Sequence, residues 1–123
     1  MKRFSVTAIV FSATLLATLV HAEPAVKMVG GMLVNTSGMT LYTFDMDVAG
    51  AGTSKCNGTC AALWPPAMAV ADAKPEGNLS FVTRDDGTKQ WAYKGKPIYT
   101  FASDKNPGDV TGDNFKDVWH VVK

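Results

Sequence analysis

The sequence predicts an all-β, mainly antiparallel fold: a compact single domain of two pseudo-repeats, with long loops and one short helical turn, behind a cleaved leader. Three observations predict it. After residue 23, period-2 alternation dominates and helical periodicity is scarce. Gly, Asp, Asn, Ser and Pro clusters punctuate the chain at short intervals. One pattern also occurs twice, as Gly38-x-x-Leu41-Tyr42-Thr43-Phe44-x-x-Asp47 and as Gly95-x-x-Ile98-Tyr99-Thr100-Phe101-x-x-Asp104, offset by 57 residues (98 minus 41). Trp64 and Trp119 close the two copies.

The leader is residues 1–22. Lys2 and Arg3 form a positive head, Phe4 to Val20 is apolar or uncharged, and Val20-His21-Ala22 fits a small-x-small cleavage rule. The run is short for a membrane span and ends at Glu23-Pro24 without a basic flank. Residues 23–123 are one domain's worth of chain, with repeat 1 at about 29–66 and repeat 2 at about 79–123. No Cys stands near the cleavage point to take a lipid, so no membrane anchor is expected after cleavage. The leader implies export, with the periplasm or the outside as the expected compartment.

The elements follow in order. Val29 to Val34 reads as a strand, Asn35-Thr36-Ser37-Gly38 as a turn, and Thr40 to Phe44 as the returning strand. Residues 45–59 are loop. Cys60 to Leu63 can make one helical turn, which Pro65 and Pro66 end. Residues 71–78 are a second loop. Leu79 to Arg84 and Lys89 to Tyr93 form the clearest hairpin, because Asp86-Gly87 tolerates the positive φ of a tight turn. Pro97 to Phe101 repeats the motif strand. Residues 102–114 are loop, and Asp117 to Val122 is a terminal strand.

Charge excludes some partners. Without Lys2 and Arg3 the chain carries 10 basic and 11 acidic residues, a net charge of −1 with no basic block. Nucleic acid and anionic membrane are not expected partners. Cys56 and Cys60 are the only cysteines, and in an exported chain the default is a disulfide that pins the Asn-Gly-Thr turn between them. A redox pair is the alternative. Its spacing is one longer than Cys-x-x-Cys, and nothing places Cys56 at a helix N-terminus.

The repeated motif has two readings. Tyr42 and Phe44 share one strand face, as do Tyr99 and Phe101. If the halves pack together, the four rings form a core and Asp47 and Asp104 cap the turns that follow. Alternatively Tyr42, Phe44, Asp47, Tyr99, Phe101 and Asp104 line a ligand groove where the copies meet.

Catalysis and metals have little support. There is no Gly-x-Ser-x-Gly, His-Glu-x-x-His or phosphate-cradling Gly loop. His120 is the one histidine beyond the leader, placed opposite Trp119 and Val121. Asp104, Asp109 and Asp113 with Asn106 and Asn114 offer oxygens for calcium, without the alternate-residue array of a calcium loop. Met28, Met32, Met39, Met46 and Met68 raise copper, but they form no Met-x-Met or His-Met cluster, and gap-filling is the simpler role.

The combined pattern resembles the bacterial secreted-repeat family of unknown function, predicted lipoproteins with a Tyr-x-(Phe/Trp/Tyr)-x-x-Asp motif. The matching residues are the two motifs, Cys56-Asn57-Gly58-Thr59-Cys60-Ala61 with Trp64-Pro65-Pro66, Arg84-Asp85-Asp86-Gly87, Gln90, Tyr93-Lys94-Gly95 and Trp119. This chain lacks the lipobox Cys. The resemblance implies a secreted fold and no established activity. The expectation is a monomeric, non-enzymatic binding or interaction module for an unidentified ligand or periplasmic protein, without a cofactor. A periplasmic metal-handling protein for copper or calcium is the alternative.

Overall fold

The computed structural model describes residues 25–123. The leader, residues 1–22, lies outside the described residues. No helix among the described residues is long and apolar enough to cross a membrane.

Hairpin 1 pairs β1 (Val26–Val29) with β2 (Met32–Asn35). The turn is Gly30-Gly31, with φ of 58° and 80°. Two successive positive φ values are what a tight two-residue hairpin turn requires, and only glycine takes them freely. The expected strand from Val29 to Val34 is therefore broken at these glycines. The expected turn at residues 35–38 also forms, held by Asn35, whose Oδ1 accepts the Ser37 and Met39 backbone N–H groups. It leads into β3 (Tyr42–Phe44). The helical turn α1 (Thr59–Leu63) ends at Trp64. Hairpin 2 pairs β4 (Leu79–Thr83) with β5 (Lys89–Tyr93), one residue off the register that a two-residue Asp86-Gly87 turn sets: Thr83 faces Lys89, Arg84 N–H donates to the Thr88 carbonyl, and of the two turn residues only Gly87 takes positive φ. The short β6 (Lys96–Pro97) adds to β5, and β7 (Trp119–Val121) ends the chain.

The two repeats are interleaved rather than stacked in sequence. Tyr42 N–H donates to the Tyr99 carbonyl at 2.8 Å, and Tyr99 N–H returns to the Tyr42 carbonyl at 2.9 Å. This reciprocal bridge is the centre of an approximate two-fold relation. On one side β3 pairs with β7, a strand of repeat 2. On the other, Thr100 and Ala102 of repeat 2 donate to the carbonyls of Pro65 and Leu63 in repeat 1. Outward from there, Leu33 donates to Val122, and in the mirrored position Trp91 donates to Ala67. Each repeat thus gives its closing segment to the hairpin of the other.

The second motif does not form the strand expected from Pro97 to Phe101: beyond β6 it makes only isolated bridges from Tyr99 to Tyr42 and Pro66, and alternation along the two motif segments builds two cores. Leu41 and Ile98 enter one with Leu33, Trp91 and Val122. Tyr42, Tyr99 and Phe101 enter the other with Cys56, Trp64, Trp119 and Val121. Phe44, Trp119, Trp64 and Phe101 form one stack there, with successive ring centroids 4.3, 3.8 and 4.1 Å apart. The four-ring cluster anticipated from the motif thus includes both closing tryptophans. Gly112 lies against this stack, where a Cβ would come within 2.6 Å of the Trp64 ring.

Candidate functional site

The motif residues are inside the protein. Tyr42 and Tyr99 are fully buried, Asp47, Asp104 and Phe101 are nearly so, and Phe44 is half-buried. The polar atoms bond across the repeats. Tyr42 Oη donates to Asp104 Oδ2 at 2.6 Å, and Tyr99 Oη donates to Asp47 Oδ2 at 2.5 Å. Each carboxylate also holds the loop after its own strand. Asp47 accepts Lys55 N–H, and Asp104 accepts the N–H and hydroxyl of Thr111. Burial, and then the neighbouring carboxylate, pushes both tyrosine hydroxyls well above the usual phenol range. The groove anticipated at Tyr42, Phe44, Asp47, Tyr99, Phe101 and Asp104 is therefore not open at these residues. Their hydroxyls and carboxylates satisfy one another, which buried polar groups must do.

The Tyr99 side of the pair extends further than the Tyr42 side. Ser54 Oγ lies 2.6 Å from Tyr99 Oη. Since the phenol proton goes to Asp47, Ser54 is the donor in that contact. Ser54 Oγ in turn accepts Arg84 Nη1 at 3.1 Å. Arg84 Nη1 also reaches Gln90 Oε1 at 2.7 Å, and Nη2 reaches the Cys56 carbonyl at 2.7 Å and Asn57 Oδ1 at 3.0 Å. Gln90 Nε2 closes the network on the Ile98 carbonyl. A one-way chain of donors therefore runs from a buried guanidinium through two hydroxyls to a buried carboxylate. Arg84, Gln90 and Ser54 are all buried.

A cleft of about 400 Å³ lies over this network. Asn57 and Gly58, in the loop closed by the Cys56–Cys60 disulfide, form one wall with Ala61 of α1. Pro66 and Met68 form another, and the β4–β5 turn from Arg84 to Thr88 forms the third. Arg84 ties two walls together through Cys56 and Asn57. Asp86 sits in the turn with its carboxyl held below the usual range by the Thr88 hydroxyl and N–H. The motif-based expectation missed this cleft. Its polar contacts join residues far apart in sequence, although Arg84, Asp85 and Gln90 were already visible among the family-like residues.

The other candidates lie apart from this cleft, Met68 excepted. His120 Nε2 contacts Asp45 at 2.8 Å, and its Nδ1 contacts Asn114 at 3.1 Å, on a part-exposed surface. No hydroxyl or thiol among the described residues bonds to it, so no nucleophile is paired with this imidazole. Asp109 accepts Lys105 and Asn106 N–H groups, which hold its carboxyl below the usual range. Asp113 accepts Val121 N–H. Among the described residues no group of three or more His, Cys, Asp or Glu side chains is placed to hold a metal ion. Met28, Met46 and Met68 are exposed, so these three do not fill core gaps as anticipated.

A family model described as a secreted repeat of unknown function matches the chain twice, over residues 25–68 and 80–123. The chain belongs to that family. No curated protein and no solved structure matches it. Each matched segment holds one hairpin, one copy of the motif and one closing tryptophan, the unit whose bonding is mirrored about Tyr42 and Tyr99.

Proposed function

We propose that the protein is a non-enzymatic binding module of the bacterial periplasm, with the cleft over Arg84 as its binding face. One observation carries the reading: the buried polar network occupies one half of a nearly symmetric fold. By hydrogen-bond position Trp91 corresponds to Leu33, so Gln90 corresponds to Met32. Met32 packs against the aromatic core as an ordinary apolar residue. Hairpin 1 turns at Gly30-Gly31 and has no counterpart of Arg84. The fold itself therefore does not demand a buried cation at this place. Such a group costs stability relative to well-packed apolar residues, which favours a role in recognition.

The test is native mass spectrometry of the protein purified, without denaturation, from the envelope of its own host. The expected result is a retained small-molecule or peptide mass that is absent from the Met68→Arg variant. Met68 is an exposed wall residue, so this change fills the cleft and leaves the core intact. Equal bound mass in both proteins, or none in either, would overturn the assignment.

A further inference from the structure

We infer that the cleft takes a small dipolar ligand bearing both a carboxylate and an ammonium group, of the size of a short peptide. The inference rests on the cleft being the binding face, and adds the class of ligand.

Three features select this chemistry. The first is Arg84. It is 8 % exposed, and each of its four bonds goes to a neutral acceptor. No carboxylate among the described residues forms an ion pair with it; the one ion pair there is His120 with Asp45. Its Nε–H has no partner among the described residues, and no buried side-chain nitrogen or oxygen among them is left unbonded. Arg84 is also one of the residues that line the cleft. Asp86 acts on the guanidinium only through space and Asp47 only through two hydroxyls, so a ligand carboxylate would be its one direct, charge-assisted partner.

The second feature is Asp85 and Asp86 on the same cleft. Asp86 spends one carboxylate oxygen on Thr88, while Asp85 is exposed with no side-chain hydrogen bond among the described residues. With Arg84 they leave the cleft with a net negative charge. A simple anion would be repelled there, whereas an ammonium group on the same ligand would be attracted. The third feature is the apolar wall of Pro66 and Met68. A thioether and a proline ring give an adaptable surface for one hydrophobic side chain. The cleft volume of about 400 Å³ falls within the range of small-ligand sites.

The experiment is a ¹⁵N-resolved NMR titration of the purified protein with the dipeptide Val-Leu, its N-acetyl form and its C-terminal amide, with free leucine as a further arm. Val-Leu at millimolar concentration is expected to shift Asn57, Gly58, Thr88 and the Arg84 Nε–H resonance. Both blocked forms should bind about tenfold more weakly. Free leucine binding as tightly as the dipeptide would make the ligand a single amino acid, with the same two contacts. Asp85→Asn, an exposed change that leaves the core untouched, should weaken Val-Leu about threefold and leave the affinity of the N-acetyl form, which carries no ammonium, unchanged. Equal shifts from the free and blocked peptides, or none from any, overturn the ligand class. In that case a bound mass that Met68→Arg still abolishes would leave the binding face standing, and its absence would remove both.

Discussion

Replacing Tyr99 with Phe tests whether the motif is a structural tie. The ring stays, so its edge-on contact with Trp119 at 5.1 Å is kept. The hydroxyl goes, and two buried groups lose their partner. Asp47 Oδ2 loses its donor, and the Ser54 hydroxyl is left with only the long 3.5 Å contact to the Cys56 carbonyl. A hydrogen bond to a charged group contributes about 1.5–3 kcal/mol, and a stranded buried polar group costs about 1–3 kcal/mol. The two effects overlap, so the expected destabilisation is about 3 kcal/mol. For a domain of about 100 residues that lowers the melting temperature by roughly 15 °C. Tyr42→Phe should cost a similar amount, about 2–3 kcal/mol, because it strands Asp104 Oδ2 and the buried Gly112 N–H that donates to Tyr42 Oη at 3.3 Å. Tyr93→Phe is the reference change; that residue is half-buried with no hydroxyl bond among the described residues, and should stay within about 0.5 kcal/mol of the parent. Urea unfolding followed by circular dichroism measures all three, and near-ultraviolet spectra verify that the aromatic stack survives. A Tyr99→Phe cost below about 0.5 kcal/mol would refute the reasoning, since the hydroxyl would then be no better bonded inside than in water.

Three further outcomes follow from the same geometry. Gly112→Ala should destabilise by about 1–3 kcal/mol, because its Cβ would press on the Trp64 ring at 2.6 Å; an unchanged urea midpoint would contradict this. The tyrosine hydroxyls are raised in the folded state by burial and by Asp104 or Asp47, so the unfolded chain ionises first as pH rises past about 10. Stability is then full below about pH 10 and falls above it by up to about 2.7 kcal/mol per pH unit for the pair, a slope that the double Phe variant should flatten in alkaline unfolding curves. Reducing the Cys56–Cys60 bond, which closes a loop at a sequence separation of 4, should cost only about 2 kcal/mol in thermal unfolding, with the fold retained.

Much of the fold was legible because its signals are local. Asp86-Gly87 announced hairpin 2, the two prolines ended α1, and the Asn-Gly-Thr spacer allowed Cys56 and Cys60 to meet. The first hairpin was harder. Gly30-Gly31 and residues 35–38 both carry turn chemistry, and both turns form; period-2 reasoning alone gave no way to rank them. The partner exchange was not legible at all. A strand pattern says which face is apolar, but not whether Trp64 returns to its own hairpin or to the other one. The Tyr–Asp ties cross 62 and 52 residues for the same reason.

The interleaving makes the symmetry informative about function. Where the halves match, the requirement is the fold's own. Tyr42 and Tyr99, Asp47 and Asp104, and Trp64 and Trp119 occupy mirrored places and make mirrored contacts, so their recurrence needs no ligand to explain it. Where the halves differ, the fold has shown that it can do without the feature. Repeat 1 closes its loop with the disulfide and α1, while repeat 2 uses a 3₁₀ turn, Phe115–Asp117, with Lys116 and Asp117 at positive φ. Hairpin 2 carries Arg84 and Gln90 where hairpin 1 has a glycine turn and Met32. The disulfide loop and the Arg84 turn belong to opposite repeats, yet they meet through the Cys56 carbonyl and Asn57 to wall one cleft. Two departures from symmetry that converge on one surface, at the cost of burying a cation, favour recognition over packing as the reason for both.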